Sequence, residues 1–146
     1  DNEEVIISEI SAEYSLNTEQ ERAFHIVAQH SANPMAEQLR MYVRGMGGTG
    51  KTRVLNALTA YFCCQGESRQ LIAIAPTGMA AALIKGSTYH FTFGINESQR
   101  NTVSKKTMAE VKDHLAGVNY VFLDEVSMLS CTDLYKISSQ LEIILN

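Results

Sequence analysis

The sequence predicts an α/β fold in which a parallel sheet alternates with helices and one strand feeds a phosphate-binding loop. Three observations predict it. Gly45-Met46-Gly47-Gly48-Thr49-Gly50-Lys51-Thr52 has two glycines separated by four residues and followed by Lys and Thr, the template of a phosphate loop. Leu71-Ile72-Ala73-Ile74-Ala75 is a continuous apolar run, the habit of a strand buried on both faces of a parallel sheet. Tyr120-Val121-Phe122-Leu123 is a second such run and leads straight into Asp124-Glu125.

Length and composition bound the answer. A chain of 146 residues suits one domain, and a hydrophobic share of 45% is enough for a real core. The net charge of −4 and pI near 5.5 exclude a protein coated in positive charge, but not a local nucleic-acid groove. The apolar runs are far too short to span a bilayer. The start, Asp1-Asn2-Glu3-Glu4, is acidic and lacks the basic opening of a signal peptide. Cys63, Cys64 and Cys131 are odd in number and lack metal-ligand spacing. They are expected as free thiols on buried helix faces, in a reducing compartment such as cytosol or nucleus.

The elements follow in order. Residues 1–15 hold Val5, Ile6, Ile7 and Ile10 with weak periodicity and are expected to be a linker or a short strand. Thr18 and Glu21 have capping-box spacing, opening a helix that carries Ala23, Phe24, Ile26 and Val27 and fades before Asn33-Pro34. Met41-Tyr42-Val43 reads as the strand before the phosphate loop. After the loop, Val54, Leu55, Leu58, Tyr61 and Phe62 recur at helical spacing. Gly66-Glu67-Ser68 is a turn. Pro76-Thr77-Gly78 ends the Leu71–Ala75 strand, and Met79 to Ile84 is helix-prone. Gly86 to Gly94 is expected to be a loop rich in hydroxyls and aromatics, and Asn96 to Lys106 a polar surface loop. Thr107 and Glu110 suggest a second capping box, with a helix to about Ala116 and a stop at Gly117. Ser130, Thr132 and Asp133 start a final helix with an apolar stripe of Leu134, Ile137, Leu141, Ile144 and Leu145.

The chemistry follows from these positions. Glycines let successive N–H groups turn toward an anion, and the following helix adds its unpaired N–H groups and positive dipole end. Lys51 can reach the β- and γ-phosphates, and the Thr52 hydroxyl can join the shell of a Mg²⁺ ion. Asp124 is placed to bind that metal, and Glu125 to polarise an attacking water. Gln20 has the acceptor and donors to match the N6 and N7 edge of adenine, although spacing alone favours a solvated Gln at a helix end. Hydroxyls and aromatics between Gly86 and Gly94 can hold a single strand by phosphate contacts and stacking. Composition alone favours aromatics tucked into the core there and a structural His90.

Together these stretches resemble the Pif-type DNA helicases of superfamily one, most of all the helicase region of fungal Helitron transposons. Leu16-Asn17-Thr18-Glu19-Gln20 is similar to the family's adenine-recognising motif, and Gly45 through Thr52 to its phosphate loop. Ala75-Pro76-Thr77-Gly78-Met79-Ala80-Ala81 with Gly86-Ser87-Thr88-Tyr89-His90 resembles its single-stranded-DNA motif. Leu123-Asp124-Glu125-Val126-Ser127-Met128 resembles its magnesium and water-activating motif. The resemblance implies a RecA-like P-loop NTPase domain over residues 16–146, partial at its C-terminal end, with helices on both faces of the sheet and residues 1–15 as an extension. It implies ATP and Mg²⁺ as cofactors, with nucleotide contacts from Gln20, Gly45, Gly47, Gly48, Thr49, Gly50, Lys51 and Thr52. It implies metal contacts from Thr52 and Asp124, catalysis by Lys51, Asp124 and Glu125, and DNA contacts from Pro76, Thr77, Gly78, Thr88 and His90. ATP-driven 5′-to-3′ movement on single-stranded DNA, in repair, recombination, telomere maintenance or transposition, is the implied activity, in the nucleus or the mitochondrion.

Two features set limits on that reading. The family's next motif, with its Gly-Asp and γ-phosphate-sensing Gln, and the second RecA-like domain with its arginine finger are absent from this sequence. The expectation is a fragment that binds nucleotide and does not unwind DNA alone. A nucleotide kinase would need arginine-bearing lid segments, and a GTPase an Asn-Lys-x-Asp; neither is present. A catalytically silent, helicase-derived module that binds ATP or single-stranded DNA is the alternative.

Overall fold

The computed structural model describes residues 2–44, 50–94 and 105–145. The chain divides into two compact units, Asp1–Ser68 and Arg69–Asn146.

The first unit is helical: α1 (Asn2–Glu13), α2 (Thr18–Ala32) and α3 (Gly50–Cys64). α1 replaces the expected linker or short strand. Its inward stripe, Ile7, Ile10 and Ser11, has helical spacing, but a buried serine and an exposed Val5 blur it in the sequence. α1 packs on α2 and α3. α2 starts one residue earlier than Thr18 and Glu21 suggest, because Asn17 is its cap. The Asn17 side chain accepts from the Gln20 N–H at 2.9 Å. The Gln20 side chain accepts from the Asn17 N–H at 2.9 Å, completing a capping box.

α3 buries Val54, Leu55, Ala57, Leu58, Tyr61 and Phe62. Tyr61 meets Phe24 and Phe62 edge-on, with ring centroids 6.2 Å and 5.5 Å apart, the arrangement aromatic quadrupoles favour. Gly66 takes φ of 71° after the helix, and the Glu67 N–H reaches back to the Phe62 carbonyl at 2.8 Å, the left-handed stop that glycine permits. Cys63, Cys64 and Cys131 are exposed free thiols, not buried ones. Cys63 and Cys64 lie past the end of the apolar stripe, and Cys131 is the first residue of the last helix. Met41-Tyr42-Val43 forms no strand. Met41 and Tyr42 are exposed, and three residues offer too few ladder bonds to hold an extended segment without a partner.

The second unit is a parallel sheet with helices. β1 (Leu71–Ala75) lies centrally, with β2 (Ser87–Thr88) on one side and β3 (Tyr120–Leu123) on the other. Ile74 pairs with Ser87 and Ala75 with Thr88; Leu71 pairs with Tyr120 and Ile74 with Leu123. Ile74 and Ala75 are buried, whereas Leu71 to Ala73 and all of β3 are half-buried. β2 approaches β1 so closely at Gly86 that a Cβ there would sit 2.2 Å from the Ala73 carbonyl oxygen. Only glycine fits.

α4 (Gly78–Leu83), α5 (Tyr89–Phe93), α6 (Lys105–His114) and α7 (Cys131–Leu145) complete the unit. The stretch expected as a loop from Gly86 to Gly94 is therefore a short strand and a short helix. α6 already runs at Lys105, which puts Thr107 inside the helix rather than at its cap. Gly117 has φ of 77°, in keeping with its reading as a stop. Most of the Asn96 to Lys106 segment lies outside the described residues. α7 is capped by the Ser130 hydroxyl, which accepts from the Asp133 N–H at 3.1 Å. Its stripe of Ile137, Leu141 and Ile144 packs with Ile74, Tyr89, Phe93, Val111, Leu115 and Val118. Among the described residues, no helix is long and apolar enough to cross a membrane.

Candidate nucleotide and nucleic-acid site

In the first unit the candidate residues converge on the start of α3. Gly45, Gly47, Gly48 and Thr49 lie outside the described residues. Gly50 opens the helix, and Lys51 and Thr52 occupy its first turn, both half-buried. The first-turn N–H groups of a helix have no intrahelical acceptor and sit at the positive end of the dipole, so they favour an anion. The buried stripe from Val54 to Phe62 fixes the helix that presents them.

Gln20 is 6% exposed, not a solvated residue at a helix end. Its Nε2 donates to the Gly50 carbonyl at 3.2 Å, while its Oε1 serves the Asn17 N–H. The side chain thus ties the start of α2 to the start of α3. Its Nε2 keeps a second hydrogen and its Oε1 a second lone pair, the donor and acceptor that an adenine N7 and N6 edge takes.

In the second unit the carboxyl ends of three parallel strands lie on one edge. β1 leads to Pro76, Thr77 and Gly78; β2 ends in Thr88; β3 leads to Asp124 and Glu125. Ligands of open parallel sheets bind at this edge. The Thr77 hydroxyl accepts from the Ala80 N–H at 3.2 Å, and the Thr88 hydroxyl accepts from the Phe91 N–H at 3.2 Å. Each cap holds the oxygen in place and leaves the hydroxyl's own hydrogen to donate, as contact with a phosphate oxygen requires. A Cβ at Gly78 would meet nothing within 4 Å, so the backbone is open to close approach. The His90 ring lies against Tyr89, centroids 4.1 Å apart.

Asp124 is half-buried, and its N–H extends the ladder to the Ile74 carbonyl at 2.8 Å. Glu125 is exposed and left-handed, φ 54° and ψ 43°. A residue with a Cβ pays on the order of 1 kcal/mol for that conformation. The left-handed residue turns the chain off the strand end. Thr88 and Asp124 flank β1 on opposite sides, so two strand spacings, about 10 Å, separate them.

Magnesium takes hard oxygen ligands and needs only one or two from protein when phosphates supply others. The Asp124 carboxylate and the Thr52 hydroxyl are donors of that kind. Among the described residues, no three His, Cys, Asp or Glu side chains group closely enough to hold a metal by themselves. The sequence reading singled out neither Asn17 as the cap nor the ring pair Phe91 and His114. For Phe91 a signal was present: Tyr89, Thr92 and Phe93 share one helical face, which turns Phe91 outward.

The description "PIF1-like helicase" matches residues 15–146. The ATP-dependent DNA helicase PIF1 of Trypanosoma brucei brucei is 34% identical over 114 residues, which is 78% of this chain and 10% of that protein. The ATP-dependent DNA helicase RRM3 of Saccharomyces cerevisiae is 29% identical over 119 residues, 78% of this chain and 15% of that protein. The uncharacterized protein 030L of Invertebrate iridescent virus 6 is 27% identical over 128 residues, 84% of this chain and 23% of that protein. The chain spans less than a quarter of the length of each of these relatives. It carries a three-stranded parallel sheet with helices and, by sequence, a phosphate loop; the chain belongs to the PIF1-like helicase family.

Proposed function

We propose that this chain is the first RecA-like motor domain of an ATP-dependent DNA helicase, coupling ATP hydrolysis to 5′-to-3′ movement along single-stranded DNA. One observation carries the reading. A single sheet edge presents two capped threonine hydroxyls, at Thr77 and Thr88, beside a strand end that delivers Asp124 and Glu125. A motor needs its track and its fuel sites close enough to sense each other.

Each residue has a role in this reading. The loop from Gly45 to Gly50 and the start of α3 hold the phosphates, and Lys51 pairs with the β- and γ-oxygens as a point charge. Gln20 reads adenine. Thr52 and Asp124 would supply oxygen ligands to Mg²⁺, which when bound would neutralise developing charge. The Glu125 carboxylate accepts a proton from the water that attacks the γ-phosphorus, and ADP leaves. Pro76, Thr77, Gly78, Thr88 and His90 bind the DNA strand. A second RecA-like domain supplies the arginine finger, worth a factor of about 10³ or more in rate. In this reading the work belongs to repair, recombination, telomere maintenance or transposition, in the nucleus or mitochondrion.

The test is DNA-stimulated ATP hydrolysis by this domain joined to a second one, beside Glu125→Gln. The variant is expected to keep nucleotide binding and to lose turnover by roughly 10²-fold or more. Normal turnover in Glu125→Gln would assign the base elsewhere. Nucleotide binding without turnover in the unsubstituted protein would favour the silent binding module.

A further inference from the structure

We propose that the ring pair Phe91–His114 is a stacking platform for one base of a single DNA strand, an inference that rests on reading Thr77, Thr88 and His90 as strand-binding residues. Within α5, Tyr89 and Phe93 are buried at 8% and 0% exposure, whereas Phe91 is 63% exposed. A lone exposed Phe is ordinary, but this one is held. Its ring stacks on His114, centroids 4.5 Å apart and planes 26° from parallel. His114 Nδ1 lies 3.3 Å from the Thr92 carbonyl oxygen. The Phe91 N–H is tied to the Thr88 hydroxyl, and buried Thr92, Phe93, Val111 and Leu115 anchor the two helices on either side.

The geometry selects the ligand. A fixed, protruding aromatic plane with one face covered fits a flat partner with a π-face, and nucleobases are such partners. An aliphatic protein side chain would want a concave apolar pocket, whereas the ring here stands exposed on the His114 ring at the last turn of α6. That turn carries Lys112 and His114 beside a single acid, Asp113. Phe91 directly follows His90, so a strand whose phosphates meet Thr88 and His90 has a base within reach of the ring.

The chain has no tryptophan, so Phe91→Trp installs a single reporter at the platform. The probes are a twenty-nucleotide oligo(dT) and an abasic strand of the same length, with affinities read by anisotropy of an end label. The affinity measurements need no indole reporter and compare the unsubstituted protein, Phe91→Leu and Thr88→Ala. The expected result is quenching of the Phe91→Trp emission by oligo(dT) and none by the abasic strand. Phe91→Leu binds oligo(dT) roughly tenfold more weakly and the abasic strand as before, while Thr88→Ala weakens both. Phe91→Leu binding oligo(dT) normally, or weakening both strands equally, overturns the platform and leaves the strand-binding reading standing. No binding of either strand by the unsubstituted protein overturns both.

Discussion

Gly86→Ala puts the sheet edge to a quantitative test. Gly86 sits where the chain enters β2, alongside Ala73 of β1. A Cβ there would lie 2.2 Å from the Ala73 carbonyl oxygen, 2.9 Å from its carbonyl carbon and 3.1 Å from its Cβ. Comfortable contacts begin near 3.5 Å, so β2 must retreat by about 1 Å or more. The first two atoms are backbone and cannot swing away. Forcing extra volume into a packed site costs typically 1–3 kcal/mol. Loosening the Ile74–Ser87 and Ala75–Thr88 pairs adds about 1 kcal/mol per hydrogen bond lost. The expected destabilisation is roughly 2–4 kcal/mol, a large share of the 5–15 kcal/mol typical of a domain. Urea denaturation followed by circular dichroism measures it. Gly78→Ala is the control: its Cβ would meet nothing within 4 Å, and alanine is favoured over glycine in a helix by about 0.5–1 kcal/mol. Because β2 carries Thr88, Gly86→Ala also weakens single-stranded DNA binding under the proposed function. A Gly86→Ala unfolding free energy within about 0.5 kcal/mol of that of the unsubstituted protein would refute the close approach of β2 to β1.

Two further outcomes are expected. Glu125→Gly relieves left-handed backbone strain of on the order of 1 kcal/mol while loosening the unfolded chain by a similar amount, so it melts close to the unsubstituted protein. Glu110→Gly, on an ordinary exposed helix turn, loses about 1 kcal/mol; equal losses in the two would remove the strain argument. Tyr61 is pushed up to about 12, first by burial and then by its hydrogen bond to Glu3. The folded state therefore holds its proton more tightly than the unfolded chain. Its contribution is fully present below pH 10 and declines as pH rises toward 12. Chemical denaturation of Tyr61→Phe across that range should show a shallower decline, and an identical slope would place the alkaline loss elsewhere.

The parallel strands were legible because Leu71–Ala75 and Tyr120–Leu123 are apolar without interruption, and the two-residue β2 was not, because Ser87 and Thr88 are polar. Their partner is fixed by Gly86, whose meaning depends on a distant carbonyl. α1 was hidden by Ser11 in its buried stripe. Asn17 took the cap because its side chain and that of Gln20 satisfy each other's backbone, a reciprocity that Thr18 and Glu21 only mimic in spacing. Of the candidate site, Asp124 and Glu125 were singled out by their place after an apolar strand, and Thr77 and Thr88 by the resemblance to the helicase motif. The left-handed turn at Glu125 and the bond from Gln20 to the Gly50 carbonyl depend on backbone geometry that no spacing encodes. Phe91 is the instructive miss. Read as a loop, its segment offers no inside and outside; read as a helix, three residues turn inward and one aromatic is left in water.

The most direct test of the central claim, a nucleotide site at the start of α3, is titration of this chain with a fluorescent ATP analogue, with and without Mg²⁺, beside Lys51→Ala. Removing a charge-assisted contact to phosphate costs about 1.5–3 kcal/mol, or roughly 10- to 150-fold in affinity. The expected result is Mg²⁺-dependent binding that Lys51→Ala weakens by that factor while its circular dichroism matches the unsubstituted protein. Equal affinities for the two proteins, or no binding by a folded sample, would contradict the claim.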